Sequence, residues 1–461
     1  MLKYEMSELK QTEDSKLSTL SVGKLLWMYS LPAIVGAMVS SLYNIIDRMY
    51  IGLGVGPMAI SGLALTFPFM NFLMAFSMLV GAGASSRISI RLGEGDRNRA
   101  EQILGNTLTL TILVSGTVIL FSMLFMNPIL IMFGGSENTL KYAREFMQII
   151  VPGTILSALL FGFNSIMRAS GYPKKAMITM IISAFVNITL APLFIFVFKM
   201  GIAGAAHATN IAFFVGSIWV VLHFFDKKTN IRFHRKNLKL DRQIVKSILN
   251  IGMSPFSMQI AASVTVVIIN RALIRYGGDL AVGALGIQNA IATLVVMFII
   301  GLNQGAQPIL GFNYGARKFD RMFLALKKTA VAATLVSTAG FILGTFFPHA
   351  LASLFTRDEE LKELAARALR ISVTVFPLIG SQIVITNFFQ SIGKAKISMT
   401  LSLTRQVLFL IPCLIFLPPI FGLDGVWSSM PVADSLSVIV TTSTLVFFIR
   451  KFKKRQNSAF I

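Results

Sequence analysis

The sequence has little charge and almost no cysteine. Only 13% of its 461 residues are charged, about half the share usual in a soluble globular chain. The single cysteine, Cys413, excludes an intramolecular disulfide framework. Acidic residues are scarce beside basic ones, 20 against 42, leaving a formal net charge of +22. Such a surplus ordinarily points to nucleic acid. A chain that is 54% hydrophobic, with 38 Phe and 23 Met and a mean hydropathy of +0.72, argues against that partner. Sequence signals of soluble catalysis are missing as well. There is no G-x-x-x-x-G-K-[ST] loop, no H-E-x-x-H and no G-x-S-x-G. SIGKAKIS (391–398) lacks the upstream Gly and the following Ser/Thr, and GLGVGP (52–57) follows no predicted strand. No cleavable leader is visible, because residues 1–24 carry Glu5, Glu8, Glu13 and Asp14 and no apolar core. Alternating ten-residue segments, the mark of a membrane β-barrel, are absent too.

What the sequence has is long apolar runs. A membrane-crossing helix needs about 20 apolar residues in a row. Twelve candidates fit, roughly 25–48, 57–84, 103–126, 142–167, 176–198, 202–225, 244–270, 281–311, 323–347, 363–390, 397–417 and 426–449. The first is expected to serve as its own insertion signal. The fold expected is an all-α polytopic membrane protein of twelve transmembrane helices.

The basic residues are not scattered. With the N-terminal tail and every second loop after it taken as one side, 31 of the 42 Lys and Arg lie there and 6 lie on the other. The positive-inside tendency then puts both termini and the central loop in the cytoplasm, and it agrees with an even number of spans.

The two halves also repeat. Gly83-Ala84 falls on Gly305-Ala306, Gly93 on Gly315 and Gly171 on Gly393, all at an offset of 222. Pro32 with Pro255 and Asp47-Arg48 with Asn270-Arg271 follow at 223, and Gly201 and Gly204 with Gly422 and Gly425 at 221. Six spans per repeat give a parallel duplication, a layout suited to alternating access in a secondary transporter. The expected organisation is a cytoplasmic tail (1–24), an N-lobe (25–225), a basic cytoplasmic linker (226–243), a C-lobe (244–449) and a basic cytoplasmic tail (450–461).

Segments 30–52, 64–96, 163–177 and 200–212, with 301–321 in the second half, resemble the multidrug and toxic compound extrusion (MATE) family. The loop reading Leu92-Gly93-Glu94-Gly95-Asp96 is part of that likeness, which covers nearly the whole chain. The resemblance implies two pseudo-symmetric six-helix lobes around a central cavity. It implies efflux of amphiphilic, often cationic, organic compounds in exchange for H⁺ or Na⁺. It also implies no enzymatic activity and no cofactor beyond the coupling ion. Expected partners are those small compounds and membrane lipids, with no nucleic acid, around a chain working as a monomer in the cell (inner) membrane. A lipid-linked oligosaccharide or polysaccharide flippase of the wider superfamily is the alternative. It would need a large cationic or polar groove, and the deep arginines are few: Arg48, Arg271 and Arg405.

Ionisable side chains inside spans are costly and commonly functional. Asp47 leads. In the family an Asp late in the first helix takes part in cation binding with a Tyr one turn earlier, and Tyr43 and Asp47 have that spacing. The resemblance maps the partners to Asn164, Asn187 and Thr209. The other reading of Asp47 is a solvated carboxylate at the outer interface, since 22 residues of helix place it ~33 Å along the span. Many relatives read N-x-x-x-D-P in the fifth span, whereas this chain has Ala191 before Pro192. With the second carboxylate gone, a proton on Asp47 is somewhat favoured over Na⁺, although a Na⁺ near Asp47 stays open. His207 is either a further titratable group or a bundle hydrogen bonder.

The Glu that some relatives carry in the seventh span is Ser263 here. The second half offers amides instead, and Gln259, Asn270, Gln288 and Gln304, with His207, are the substrate-cavity candidates. Amides serve equally well as interhelical glue. Arg405 and Asp434 differ in depth by about 6 Å and are expected to pair across the last hairpin, as a structural ion pair or as a switch. Phe- and Met-rich faces such as Phe67–Phe76 suit flat hydrophobic ligands, or face lipid.

Overall fold

A computed structural model describes residues 13–132 and 137–458. Among them the secondary structure is helical, without strands, as expected where lipid leaves each backbone group to be satisfied within its own segment. Eleven helices are long and apolar enough to cross a membrane, or twelve where a bent pair is counted as one span. They are α1 (Val22–Gly54), α2 (Met58–Gly93), α3 (Arg97–Leu124), α4 (Thr139–Ile150 and Thr154–Ala169, bent by 58°), α5 (Pro173–Val197) and α6 (Gly201–His223). The second set is α7 (Arg242–Gly278), α8 (Leu280–Gly315), α9 (Phe319–Phe346), α10 (Glu359–Ser391), α11 (Ala395–Phe416) and α12 (Pro418–Lys454). Each overlaps one of the twelve apolar runs.

Local chemistry sets where these helices begin and bend. Asp96, Asp241 and Asp358 cap α3, α7 and α10, each side chain accepting from a backbone N–H of the first turn. A carboxylate there also faces the positive end of the helix dipole. Gly278, at φ 65°, makes the break between α7 and α8, where a residue with a Cβ is strained. Pro192 lacks a backbone donor, and α5 continues past it as a π segment, Leu193–Val197. A second π segment, Thr404–Leu410, lies inside α11.

The chain packs as two compact units. The first runs through Gln259 and takes in Gln304–Ala325 and Ser391–Gly393. Its apolar core gathers Ile51, Phe69, Leu73, Met147, Ile195 and Ala205. The second comprises Ile260–Asn303, Leu326–Gln390 and Lys394–Ile461, around Leu273, Leu285, Leu410 and the fully buried Trp427. Many large apolar side chains stay exposed, Trp27, Leu53, Leu120 and Phe447 among them.

The basic linker is fastened to α3. Asn106 Nδ2 donates to the carbonyls of Asn237 (3.1 Å) and Lys239 (3.2 Å), and its Oδ1 accepts from the Asp241 N–H (2.7 Å). His234 Nε2 lies 3.0 Å from Glu101. Backbone N–H groups of Gln243 and Ile244, with Arg99, hold the Asp241 carboxyl below the usual carboxylate range. At the same end the short helix Glu13–Thr19 is seated by Arg321, whose Nη2 donates to the carbonyls of Leu17 (3.2 Å) and Leu20 (2.6 Å).

Candidate functional site

The first-half site is built on α1, α5 and α6. Ser40 Oγ donates to Met180 Sδ at 3.4 Å, and Tyr50 meets Phe196 edge-on at 6.2 Å. These two contacts lay α1 and α5 side by side in the same direction. Asp47 falls between them along α1, and Asn187 and Ala191 fall between them along α5. Tyr43, one turn before Asp47, is half-buried. Asp47 Oδ1 is buried and has no hydrogen-bond partner. Arg48 is exposed, its guanidinium 5.7 Å from the Phe67 ring centre.

Asn187 is buried, and its Nδ2 donates to Thr209 Oγ1 of α6 at 3.1 Å. Its Oδ1 is a second buried acceptor with no partner. The fully buried Ala191 sits one turn further along α5. Ala191 presents a methyl group there and supplies no second carboxylate. Asp47 on α1 and Asn187 on α5 thus each present one buried oxygen without a hydrogen bond. Each buried unpaired polar group costs about 1–3 kcal/mol.

Asn164 stands apart from this set. Its Nδ2 donates to the Ala176 carbonyl at 2.7 Å, and its Oδ1 accepts from Arg168. Ala176 precedes Asn187 by 11 residues on α5, roughly 16 Å of helix. The mapping of Asn164 onto the Asp47 group therefore does not match the geometry, because both ends of its amide are engaged near the basic end. The residue missed there is Arg168, buried and also bonded to Ser165 Oγ at 3.0 Å. Its i, i+4 spacing from Asn164 was the available signal, hidden by its place among loop cations.

His207 is exposed. Gln259 and Gln304 are half-buried in the first unit, and Asn270 is half-buried in the second. Gln288 is buried, its Nε2 3.7 Å from Met430 Sδ and its Oε1 without a partner. Other amides act as glue. Gln307 Nε2 donates to Ser86 Oγ at 2.7 Å, and Gln382 Nε2 to Ser437 Oγ at 2.5 Å.

In the second unit Arg405, carried on the π segment of α11, places Nε 2.5 Å from Asp434 Oδ1 of α12. Asp434 is buried, and its neighbours on the same α12 face, Ser437 and Thr441, are buried too. Among the described residues no cluster of three or more His, Cys, Asp or Glu is placed to hold a metal.

Known proteins resemble this chain in sequence and in fold. The MatE family profile matches residues 32–193 and 245–415. "Multidrug export protein MepA" of Staphylococcus aureus (strain MSSA476) is 27% identical, over 93% of this chain and 94% of its own length. A solved structure of the MATE multidrug transporter DinF-BH, held in complex with a ligand, is 38% identical. It covers 92% of this chain and 95% of that one, with a TM-score of 0.87. An outward-facing multidrug resistance MATE family transporter shares the fold at a TM-score of 0.90 and 24% identity, covering 96% of this chain and 100% of that one.

Proposed function

The chain belongs to the MatE family of membrane transporters, and on that premise we propose that it is a secondary active multidrug exporter. It exchanges H⁺ or Na⁺ for amphiphilic, often cationic, organic compounds by alternating access. The observation that carries the coupling role is the buried Asp47 Oδ1, which has no hydrogen-bond partner, while the other deep carboxylate, Asp434, is bound by Arg405. A buried carboxylate oxygen without a hydrogen bond is expensive inside a membrane helix unless it takes up a cation. Asn187, Thr209 and Tyr43 complete the group. Asn187 and Thr209 are neutral oxygen donors, so the set holds one negative charge, which suits one proton better than a dehydrated Na⁺. The half-buried amides Gln259, Gln304 and Asn270, the buried Gln288 and the exposed His207 are the surfaces proposed to meet substrate.

The loop charges orient the protein with both termini and the linker in the cytoplasm of a cell whose inner membrane it spans. Two lobes, 25–225 and 244–449, work as pseudo-symmetric halves joined by the 226–243 linker. Commitment of Arg405 to Asp434 leaves little free positive charge for a lipid pyrophosphate, which weighs against the flippase reading. The test is reconstitution in liposomes with an imposed ΔpH or ΔNa⁺ and a panel of amphiphilic fluorescent cations. Accumulation driven by ΔpH is expected. Accumulation independent of either gradient contradicts secondary transport.

A further inference from the structure

The 226–243 linker runs down α3 and turns back, all within the first compact unit. Arg97, the first residue of α3, donates to the Thr229 carbonyl at 3.1 Å. One turn on, Glu101 accepts from the Arg232 N–H at 3.2 Å. Asn106 holds the carbonyls of Asn237 and Lys239, and Thr109 Oγ1 donates to the Leu238 carbonyl at 2.7 Å. The path then reverses, because Asp241 returns to Asn106 and lies 3.4 Å from Arg99. Leu238 marks the turn. A methyl group built on Gly105 overlaps the Asn237 backbone, so the linker lies directly on the helix. The apolar run of α3 opens at Ile103, and Thr109 is six residues, ~9 Å, into it. One turn beyond Thr109, Ile112 and Leu113 are exposed.

The acids around the linker are already engaged. Glu101 is buried against the Arg232 N–H and His234, and Asp226 accepts from the Lys228 N–H at 2.9 Å. Asp241 is taken up by two backbone N–H groups and Arg99. The cations are not: Arg235, Lys236, Lys239 and Arg242 are exposed, and Leu238 and Leu240 are exposed among them. A positive-inside bias accounts for cations in a loop. It does not require two leucines exposed between them, nor a backbone pinned to a span at the depth where the apolar run has begun. Both are features of a segment lying in the membrane interface, whose apolar side enters the acyl boundary by about 5–10 Å.

We propose that the outer face of this linker is a docking surface for anionic phospholipid headgroups. Arg235, Lys236 and Lys239 meet the phosphates, their stems lying along the acyl chains. Leu238 and Leu240 enter the boundary beneath. Depth selects lipid over an acidic protein as the occupant, since Leu238 is bonded to α3 inside its apolar run. Basic segments beside a membrane are drawn to the negative surface that such lipids create. Pinning by Glu101, Asn106 and Thr109 fixes the surface before lipid arrives, which lowers the ordering cost of binding. The surface needs only a membrane setting and is independent of the coupling role of Asp47.

The test uses Cys413→Ser protein, which has no cysteine, carrying Leu240→Cys labelled with a small fluorophore. It is reconstituted in vesicles of phosphatidylcholine and phosphatidylglycerol. In one preparation the phosphatidylglycerol is brominated near the head of its acyl chains, and in the other the same mole fraction of phosphatidylcholine is brominated. Stronger quenching by the brominated phosphatidylglycerol is expected, narrowing at high salt. Arg235→Gln, Lys236→Gln and Lys239→Gln together are expected to remove the excess. Lys451→Gln, Lys453→Gln and Lys454→Gln, which take the same charge from the exposed end of α12, are expected to leave it. Equal quenching by the two lipids in the labelled parent overturns the proposal. So does quenching by neither, which puts the linker clear of the bilayer. An excess lost equally in the α12 variant makes it a property of net charge and overturns the site as well. The parent comparison and the salt titration need none of these charge substitutions, so a linker variant that fails to fold leaves the test intact.

Discussion

Arg405 Nε lies 2.5 Å from Asp434 Oδ1, joining the last two spans through their only deep opposite charges among the described residues. The two charges neutralise each other, in contrast with Asp47, whose Oδ1 has no hydrogen-bond partner.

Breaking that pair from one side is expected to be costly. Arg405→Leu or Asp434→Leu each leaves the other charge in a low-dielectric bundle, a loss on the order of 3 kcal/mol. The double substitution is expected to recover most of it, because two apolar side chains of similar volume replace two cancelled charges. Thermal melting of the purified variants checks the cycle. Additive losses in the double variant contradict the pairing, and a stable double variant without transport assigns the pair a part in the cycle.

Asp241 gives a pH prediction. Its carboxyl is held below the usual range by backbone N–H groups of Gln243 and Ile244. A group with a lowered folded pKa stabilises above its unfolded value, and the contribution fades as pH falls through the folded one. Asp241→Ala is therefore expected to lower the melting temperature at neutral pH, with the gap to the parent closing as pH drops below the carboxylate range. A gap that stays constant or widens on acidification contradicts the capping role.

Much of the fold was legible in the sequence because lipid imposes a simple rule, that each crossing needs a long apolar helix. The twelve runs, the loop charges and the 222-residue repeat all follow from reading lengths and spacings. Side-chain partnerships were less legible. The Arg405 and Asp434 contact came from counting depth along two helices joined by a short hairpin. Asn164 could not be placed that way, since its engagement by Ala176 and Arg168 depends on how α4 returns into α5. The paired glycines were visible in sequence only as a repeat. That Gly93 and Gly315 touch each other's helices is a property of packing. The π segments were hidden as well, because Pro192 announces a disturbance in α5 but no comparable signal precedes Thr404–Leu410.

Asp47 is proposed to carry the coupling cation, and Asp47→Asn in liposomes with an imposed ΔpH puts that role to the test. The asparagine keeps the size of the side chain and removes the charge. Normal folding and loss of gradient-driven accumulation of a fluorescent organic cation are expected. Accumulation at the parent rate and to the parent extent, under the same gradient, contradicts it.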